Sequence, residues 1–228
     1  AIIANIVSSQ LNLDEIMRRL GIETQKKQQE EFNPEYIRAQ IAQIAVPFNV
    51  SLKTDVKTAI YKNTRIQNLV SDISLVNNRL DVKKLSVSNY GGADLALSGT
   101  IGQLTNLEDI RLELSAKTND LETTMQKLEQ QDMLAGIPFK VGAFDTDATL
   151  AGNLSALKFE VKAHALDAAV MAAGNISQAL SNPAFDDLSF GLKHPNFASL
   201  LATVNKGAAT GAALAKPVDI SARAALQD

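Results

Sequence analysis

The side chains able to do chemistry are few, and their spacing does not gather them. The chain has 228 residues, two of them histidine and none cysteine. The absence of cysteine excludes disulfides, thiolate metal sites and a thiol nucleophile. His164 falls in the alternating run Val161-Lys-Ala-His-Ala, with no second ligand beside it. His194 stands directly before Pro195 at a helix entrance, where a capping or loop role is expected. Asp145 and Asp147 are two apart, so on a strand they share one face. A carboxylate pair of that kind could bind a cation or transfer protons. Thr146, Ala148 and Leu150 would then form the opposite, inner face, so the two acids read as a solvated exterior. Asp186 and Asp187 follow Pro183 and read as a turn. Gly91-Gly92 lacks the spacing and the following Gly-Lys-Ser/Thr of a phosphate loop and reads as a hairpin turn. There is no Gly-x-Ser-x-Gly elbow and no His-Glu-x-x-His pair. No catalytic residue, metal site or cofactor is expected, and the chain reads as a non-enzyme.

Composition narrows the partners. Apolar residues make up 46% of the chain, aromatics 5%, and the formal net charge is −3 from 22 basic and 25 acidic residues. A nucleic-acid binder should carry a basic excess, so nucleic acid is not an expected partner. The apolar content is Ala, Leu, Ile and Val, which forms smooth aliphatic surface. No apolar run approaches the roughly 20 residues that span a bilayer, and no signal peptide is visible. The chain opens on the strand-like Ile2-Ile3-Ala4-Asn5-Ile6-Val7 and closes near the alternating Val218-Asp219-Ile220-Ser221-Ala222. Both ends are expected to be interior to a longer protein.

The elements that must position these residues are mostly strands. Phe48, Val50, Leu52, Thr54 and Val56 alternate with polar residues, which gives one apolar and one polar face. The same period returns at Leu80/Val82, Leu85/Val87, Ala93/Leu95/Leu97 and Ile110/Leu112/Leu114. It returns again at Leu157/Phe159/Val161, Val170/Ala172 and Leu188/Phe190/Leu192. Asn77-Asn78 and Tyr90-Gly91-Gly92 supply turn chemistry between runs. The fold expected is mainly β with short helices: an antiparallel, repeated, curved sheet forming an apolar trough, flanked by amphipathic helices. Parallel connections would need crossover helices, for which the chain offers no room, so every strand pair is expected to be antiparallel.

Four segments have helical spacing. The first covers 13–20, with Asp14 and Glu15 at its start and Arg18 and Arg19 at its end, the order that suits the helix dipole. The second covers 34–44, opened by Pro34 and carrying Tyr36, Ile37, Ile41 and Ile44. The polar run 25–31 before it reads as an exposed linker. The third covers 120–134, with Leu121, Met125 and Leu128 on one face. The fourth starts at Pro195 and carries Phe197, Leu200, Leu201 and Val204. These amphipathic helices are expected to pack on the sheet.

Two internal repeats emerge. Leu13-Asp-Glu-Ile-Met-Arg-Arg-Leu20 aligns with Leu121-Glu-Thr-Thr-Met-Gln-Lys-Leu128, and the last helix has Phe197, Leu201 and Val204 at matching positions. Each helix follows a strand. The second repeat is Leu97-Ser-Gly99-Thr-Ile101-Gly-Gln-Leu104, matched by Leu150-Ala-Gly152-Asn-Leu154-Ser-Ala-Leu157 and by a degenerate copy through Ala172, Gly174, Ile176 and Leu180. Glycine there permits a bulge or bend that curves a sheet, and repetition allows a sheet to grow by units. The organisation read from this is the end of a β repeat plus a helix at 1–21, linker and helix at 22–46, a β repeat with its C-terminal helix at 47–134, and a second repeat at 135–228.

The stretch 47–104 carries a resemblance. Its strand Phe48-Asn-Val-Ser-Leu-Lys-Thr-Asp-Val56 is followed by Asn68-Leu-Val-Ser-Asp-Ile-Ser-Leu75 and Arg79-Leu-Asp-Val-Lys-Lys-Leu-Ser-Val87. It ends in Tyr90-Gly-Gly-Ala-Asp-Leu-Ala-Leu-Ser-Gly-Thr-Ile101. This order resembles the C-terminal repeat region of the AsmA family of Gram-negative envelope proteins. Leu150-Ala-Gly-Asn-Leu154 and His194-Pro-Asn-Phe-Ala-Ser-Leu-Leu201 are similar in wording. The resemblance implies a periplasmic part of an inner-membrane-anchored parent. It also implies a role in outer-membrane homeostasis through phospholipid, or another acyl lipid, conducted along an apolar β-groove. Other envelope proteins are implied as partners, with membrane contact made through other parts of the parent. Phe48, Val50, Leu52, Val56, Leu95 and Leu97 are the expected lipid-facing residues, acting by collective burial. The alternative is a β-scaffold or protein-interaction module with a closed core.

Overall fold

The structure is a computed structural model and describes residues 1–19, 49–137, 139–179, 183–204 and 216–224. Eleven strands form one curved, unclosed sheet in strict sequence order. They are β1 (Ile2–Asn12), β2 (Val50–Tyr61), β3 (Thr64–Val76), β4 (Arg79–Tyr90), β5 (Ala93–Gln103) and β6 (Glu108–Thr118), followed by β7 (Phe144–Asn153), β8 (Ala156–Ala165), β9 (Ala168–Ser177), β10 (Ala184–His194) and β11 (Val218–Ala224). Among the described residues three short α-helices accompany them: α1 (Leu13–Arg19), α2 (Leu121–Lys127) and α3 (Phe197–Val204). The mainly-β expectation with short helices therefore holds. The helix expected over 34–44, the linker at 25–31 and Phe48 lie outside the described residues. The segment read as one helix over 120–134 is α2 followed by a separate 3-10 turn, Gln131–Leu134.

One pairing corrects the sequence reading. β1 runs parallel to β2, from Ile2 opposite Val50 to Asn12 opposite Ile60, while every other pair is antiparallel. The return from Asn12 to Val50 takes residues 13–49, length enough for the crossover that parallel strands require. Reading 22–46 as linker and helix of a separate unit hid that role.

The hairpins follow from residues that accept positive φ. Asn77 and Asn78 have φ of 49° and 64°, and Gly91 and Gly92 of 63° and 107°, as two-residue hairpin turns require. Lys62 and Asn63 (48°, 58°) and Leu166 and Asp167 (53°, 60°) make equivalent turns. Leu is a poor residue for that conformation and gave no turn signal in the sequence. The repeat glycines share a further device: Gly99 and Gly152 adopt φ of 131° and 130°, inside strands β5 and β7. A Cβ at Gly99 would lie 1.9 Å from the Arg111 carbonyl oxygen, and one at Gly152 would lie 2.2 Å from that of Ala156. The matching conformation explains the matching glycines at 99 and 152, where only hydrogen fits; Gly174 of the degenerate copy does not adopt it.

Strand direction sorts the connections onto two rims. β1, β2, β4, β6, β8 and β10 point one way, and all three helices lie beyond their C-terminal ends. On this helix rim, Asp14 of α1 accepts the backbone N–H of Lys62 at 2.7 Å and of Asn63 at 3.1 Å, holding the β2–β3 turn. Thr124 of α2 sits 2.7 Å from the Thr118 hydroxyl, which in turn reaches the Gly92 carbonyl at 3.2 Å. At the entrance to α3, His194 is buried, bonds the Leu166 carbonyl through Nε2 at 2.9 Å and accepts the Asn196 N–H on Nδ1 at 2.9 Å. Of the capping or loop role expected of it, His194 takes the loop role: the helix cap is Asn196, whose Oδ1 accepts the Ser199 N–H at 3.3 Å. The opposite rim carries short turns tied sideways: Asn77 N–H donates to the Asn49 side chain at 3.2 Å, and Leu104 N–H to the Asn78 carbonyl at 2.8 Å.

Candidate functional site: the apolar face of the sheet

Register carries the period-two pattern across strands, so one face collects the apolar positions into rungs. One rung reads Val50, Leu75, Leu80, Ile101 and Ile110. The next reads Leu52, Ile73, Val82, Gly99, Leu112, Leu150 and Phe159. A third passes through Leu85, Leu97, Leu114, Ala148, Val161, Ala172 and Phe190. Phase errors would throw residues to the wrong face. The structure absorbs them at register shifts in β3–β4 and β4–β5. Asn68 and Asn89 take positive φ close to these shifts.

The two faces differ in chemistry. The outer face pairs charges across strands, Lys53 with Asp72 at 3.2 Å and Lys193 with Asp219 at 3.1 Å, and sets the His164 ring in hydrogen-bond contact with Asp145 at 2.8 Å. Asp147 stands opposite Lys162, which also meets Glu160 at 2.8 Å. Glu160 hydrogen-bonds Lys162, and that contact raises the lysine's pKa and lowers the glutamate's. The acids read as a solvated exterior are on that exterior.

The inner face is only partly covered. Leu114, Phe185, Phe190 and Ile220 remain 39–46% exposed. Its deepest part is a hollow of about 520 Å³ spanning β2 to β7, within the range usual for ligand cavities. Leu85, Val87, Leu95, Leu97, Leu114, Ala116 and Ala148 form its floor, with Tyr61, Ile66 and Tyr90 toward the helix rim, and no charged side chain lines it. The Tyr61 and Tyr90 rings are 6.4 Å apart and join the cluster around Val56, Ala59 and Ile66 that closes that end.

The expected lining divides accordingly. Leu95 and Leu97 line the hollow. Val50 and Leu52 lie half-buried on the same face further along β2. Val56 is fully enclosed in the Ala59–Ile66 cluster. Tyr61, Tyr90, Leu85, Val87 and Leu114 were not singled out as lining. Leu85, Val87 and Leu114 sit in alternating runs recognised from the sequence, whereas the two tyrosines meet only through the register of non-adjacent strands.

A wider cleft of about 820 Å³ opens at the helix rim between Phe144, Ala165, Val218 and the outer-face residues Lys117, Asp145, His164, Lys193 and Asp219. Within it His164 contacts Asp145 and Lys193 pairs with Asp219. Among the described residues no three His, Cys, Asp or Glu side chains could hold a metal, and no helix is long and apolar enough to cross a membrane. Comparison with protein-family models, curated proteins and solved structures finds no match.

Proposed function

We propose that the chain is a non-enzymatic, acyl-lipid-binding module of the AsmA type, holding or conducting phospholipid tails along the apolar face of its sheet. The observation that carries this reading is the uncharged hollow continuous with half-exposed rungs on an unclosed sheet. Exposed apolar area on this scale marks a binding surface more often than idle exterior. A ligand with aliphatic chains needs no directed hydrogen bonds, and each buried CH₂ contributes roughly 0.8 kcal/mol. Ten methylenes laid over the Leu85, Leu97 and Leu114 rung would gain on the order of 8 kcal/mol before ordering costs. The open face is also what favours this reading over a scaffold with a closed core. In the full reading, a parent protein anchored in the inner membrane would present this groove in the periplasm, with other envelope proteins as neighbours.

Native mass spectrometry with lipid extraction tests the proposal. Purified chain is expected to carry phospholipid at a defined ratio. Leu95→Asp and Leu52→Asp, both on the half-buried inner face, should lower that ratio while the circular dichroism spectrum stays that of a β-sheet. A lipid-free mass from folded wild-type chain mixed with phospholipid vesicles would sink the reading.

A further inference from the structure

Two rows of inner-face residues form the floor of the hollow. From β4 to β7 one row reads Leu85, Leu97, Leu114 and Ala148. The row nearer the helices reads Val87, Leu95, Ala116 and Thr146. The rows lie two residues apart along each strand, about 7 Å, and cross three strand spacings, about 14 Å. The hollow is therefore a slot laid across the strands, one narrow chain in width. Those dimensions select the occupant. A helix is about 10–12 Å across and would ride over the slot without filling it. An added strand needs free backbone groups, and every strand of the floor is paired on both sides. An acyl tail has the right shape. One leaflet of the roughly 30 Å bilayer core is about 15 Å deep, so a single tail fills the slot end to end.

The slot is closed at one end and open at the other. Toward β3 and β2, Val87 and Tyr90 pack with Tyr61 on the enclosed Val56, Ala59 and Ile66, so their row ends in a wall. The other row passes from Leu85 to Ser71 and Thr54. Their hydroxyls meet at 2.9 Å, with Ser71 buried, so the apolar bed stops there as well. Toward β8 the rows continue over half-buried side chains, one through Val161 and Ala172 and the other through Ala163 and Val170. They reach Phe190, which is 46% exposed, and Leu192 on β10.

We propose that the slot is a dead-end seat for a single acyl tail, with the methyl end against the Tyr61–Tyr90 wall and the headgroup out over β8 and β9. The inference rests on the acyl-lipid reading above and adds to it one tail, one direction and a stop. Lipid enters and leaves this slot from the β7 side. The second tail of a phospholipid finds no room between the two rows and lies on the neighbouring rung of Leu112, Leu150 and Phe159.

The test uses lysophosphatidylcholine, a one-tailed lipid, carrying a photoreactive diazirine either on its last carbon or beside its ester. The folded 228-residue chain is loaded with each probe and irradiated, and the adducts are mapped by peptide mass spectrometry. The end-labelled probe is expected on Tyr61, Ile66 or Tyr90, and the ester-labelled probe on β8 or β9. Ala148→Phe sets a ring across the mouth of the slot at a half-buried position. It should abolish the end-labelled adducts at the wall while the circular dichroism spectrum stays unchanged. If that variant does not fold, the two label positions on the wild type decide alone. Labels that exchange places, spread along the rows or fall outside them overturn the seat, as does a folded Ala148→Phe that keeps the wall adducts. Each of these outcomes leaves the acyl-lipid reading standing, because the probe is bound. A folded wild type that shows no bound probe by native mass spectrometry overturns that reading and the seat together.

Discussion

The stretch from β2 to β6 and the stretch from β7 to β11 follow the same strand rule but do not pack alike. Buried apolar residues concentrate in the first: Val56, Ala59, Ile66, Val82, Ala93, Leu104 and Ile110, against Leu157 and Ala168 in the second. Side-chain size and helix cover are the causes. Inner positions of β2 to β6 are mostly Leu, Ile and Val, and α1 and α2 cover their helix-rim end. In β8 and β9 the helix-rim positions of the inner face are Ala163, Ala165 and Ala168, with Val170 the one larger residue. Phe144 is the ring at the helix rim of this half, while Phe159 and Phe185 meet edge to face at 6.2 Å toward the opposite rim. One half folds its apolar face into a partial core with a hollow beside it; the other leaves its face open. A sheet can thus keep one strand pattern while residue size and helix cover together decide what is core and what is groove.

The largest test of this difference is at the repeat glycines. Gly99→Ala meets a backbone carbonyl in the middle of β5, within the packed half, and should cost roughly 2–4 kcal/mol. Gly152→Ala has a similar backbone strain, but it sits next to the β7–β8 turn, which can shift, so about half that loss is expected. Urea midpoints for the two variants check this, and equal losses would remove the distinction. Val56→Ala comes next. It opens a void in a fully enclosed site and should cost about 2–3 kcal/mol, while Val161→Ala on the open half should cost under about 1 kcal/mol. Thr118→Val is smaller again. It strands the buried Thr124 hydroxyl, and a loss of about 1–2 kcal/mol is expected, with thermal denaturation as the readout.

Much of this fold was legible because period two survives in most of the strands, β1 and the bulged stretches excepted. The alternation of Phe48 to Val56 and of Ile110 to Leu114 marked the apolar face without any knowledge of neighbours. Asn77-Asn78 and Gly91-Gly92 marked turns because those residues accept positive φ at little cost. Leu166 was not legible: it holds the same conformation because Asp167 shares the turn and His194 grips its carbonyl from 28 residues away. The parallel β1–β2 pair was hidden for a related reason. Direction is set by where a connection returns, and 13–49 carries no strand signal of its own. The hollow was half legible, since Leu95 and Leu97 could be nominated from alternation. Tyr61 and Tyr90 come together only through the register of β2, β3 and β4, with the bulges included.

The smallest effect expected is at the seam between the two halves, where acid should loosen the connection before it loosens either half. Glu122 on α2 accepts the backbone N–H groups of Val141 and Gly142, bonds that tie the segment between β6 and β7 back onto the helix. Burial pushes the Glu122 carboxyl up, but the Val141 and Gly142 N–H bonds outweigh it, and its pKa lies below the ordinary value near 4.5. A carboxylate depressed in this way adds stability that is complete above its unfolded value and is lost as pH falls through its folded value. Between neutral pH and about 5 the seam should therefore be insensitive to pH. Below about 4.5 the amides of Val141 and Gly142 should lose protection against deuterium exchange, measured relative to unfolded amides at the same pH, while those of β3 and β4 keep theirs. Glu122→Gln keeps an acceptor oxygen but cannot titrate. Its protection at these two amides should be lower at neutral pH and nearly flat down to the point where the sheet itself opens. If the wild-type amides instead open together with β3 and β4, the two halves unfold as one unit, and the difference in packing between them does not divide the sheet.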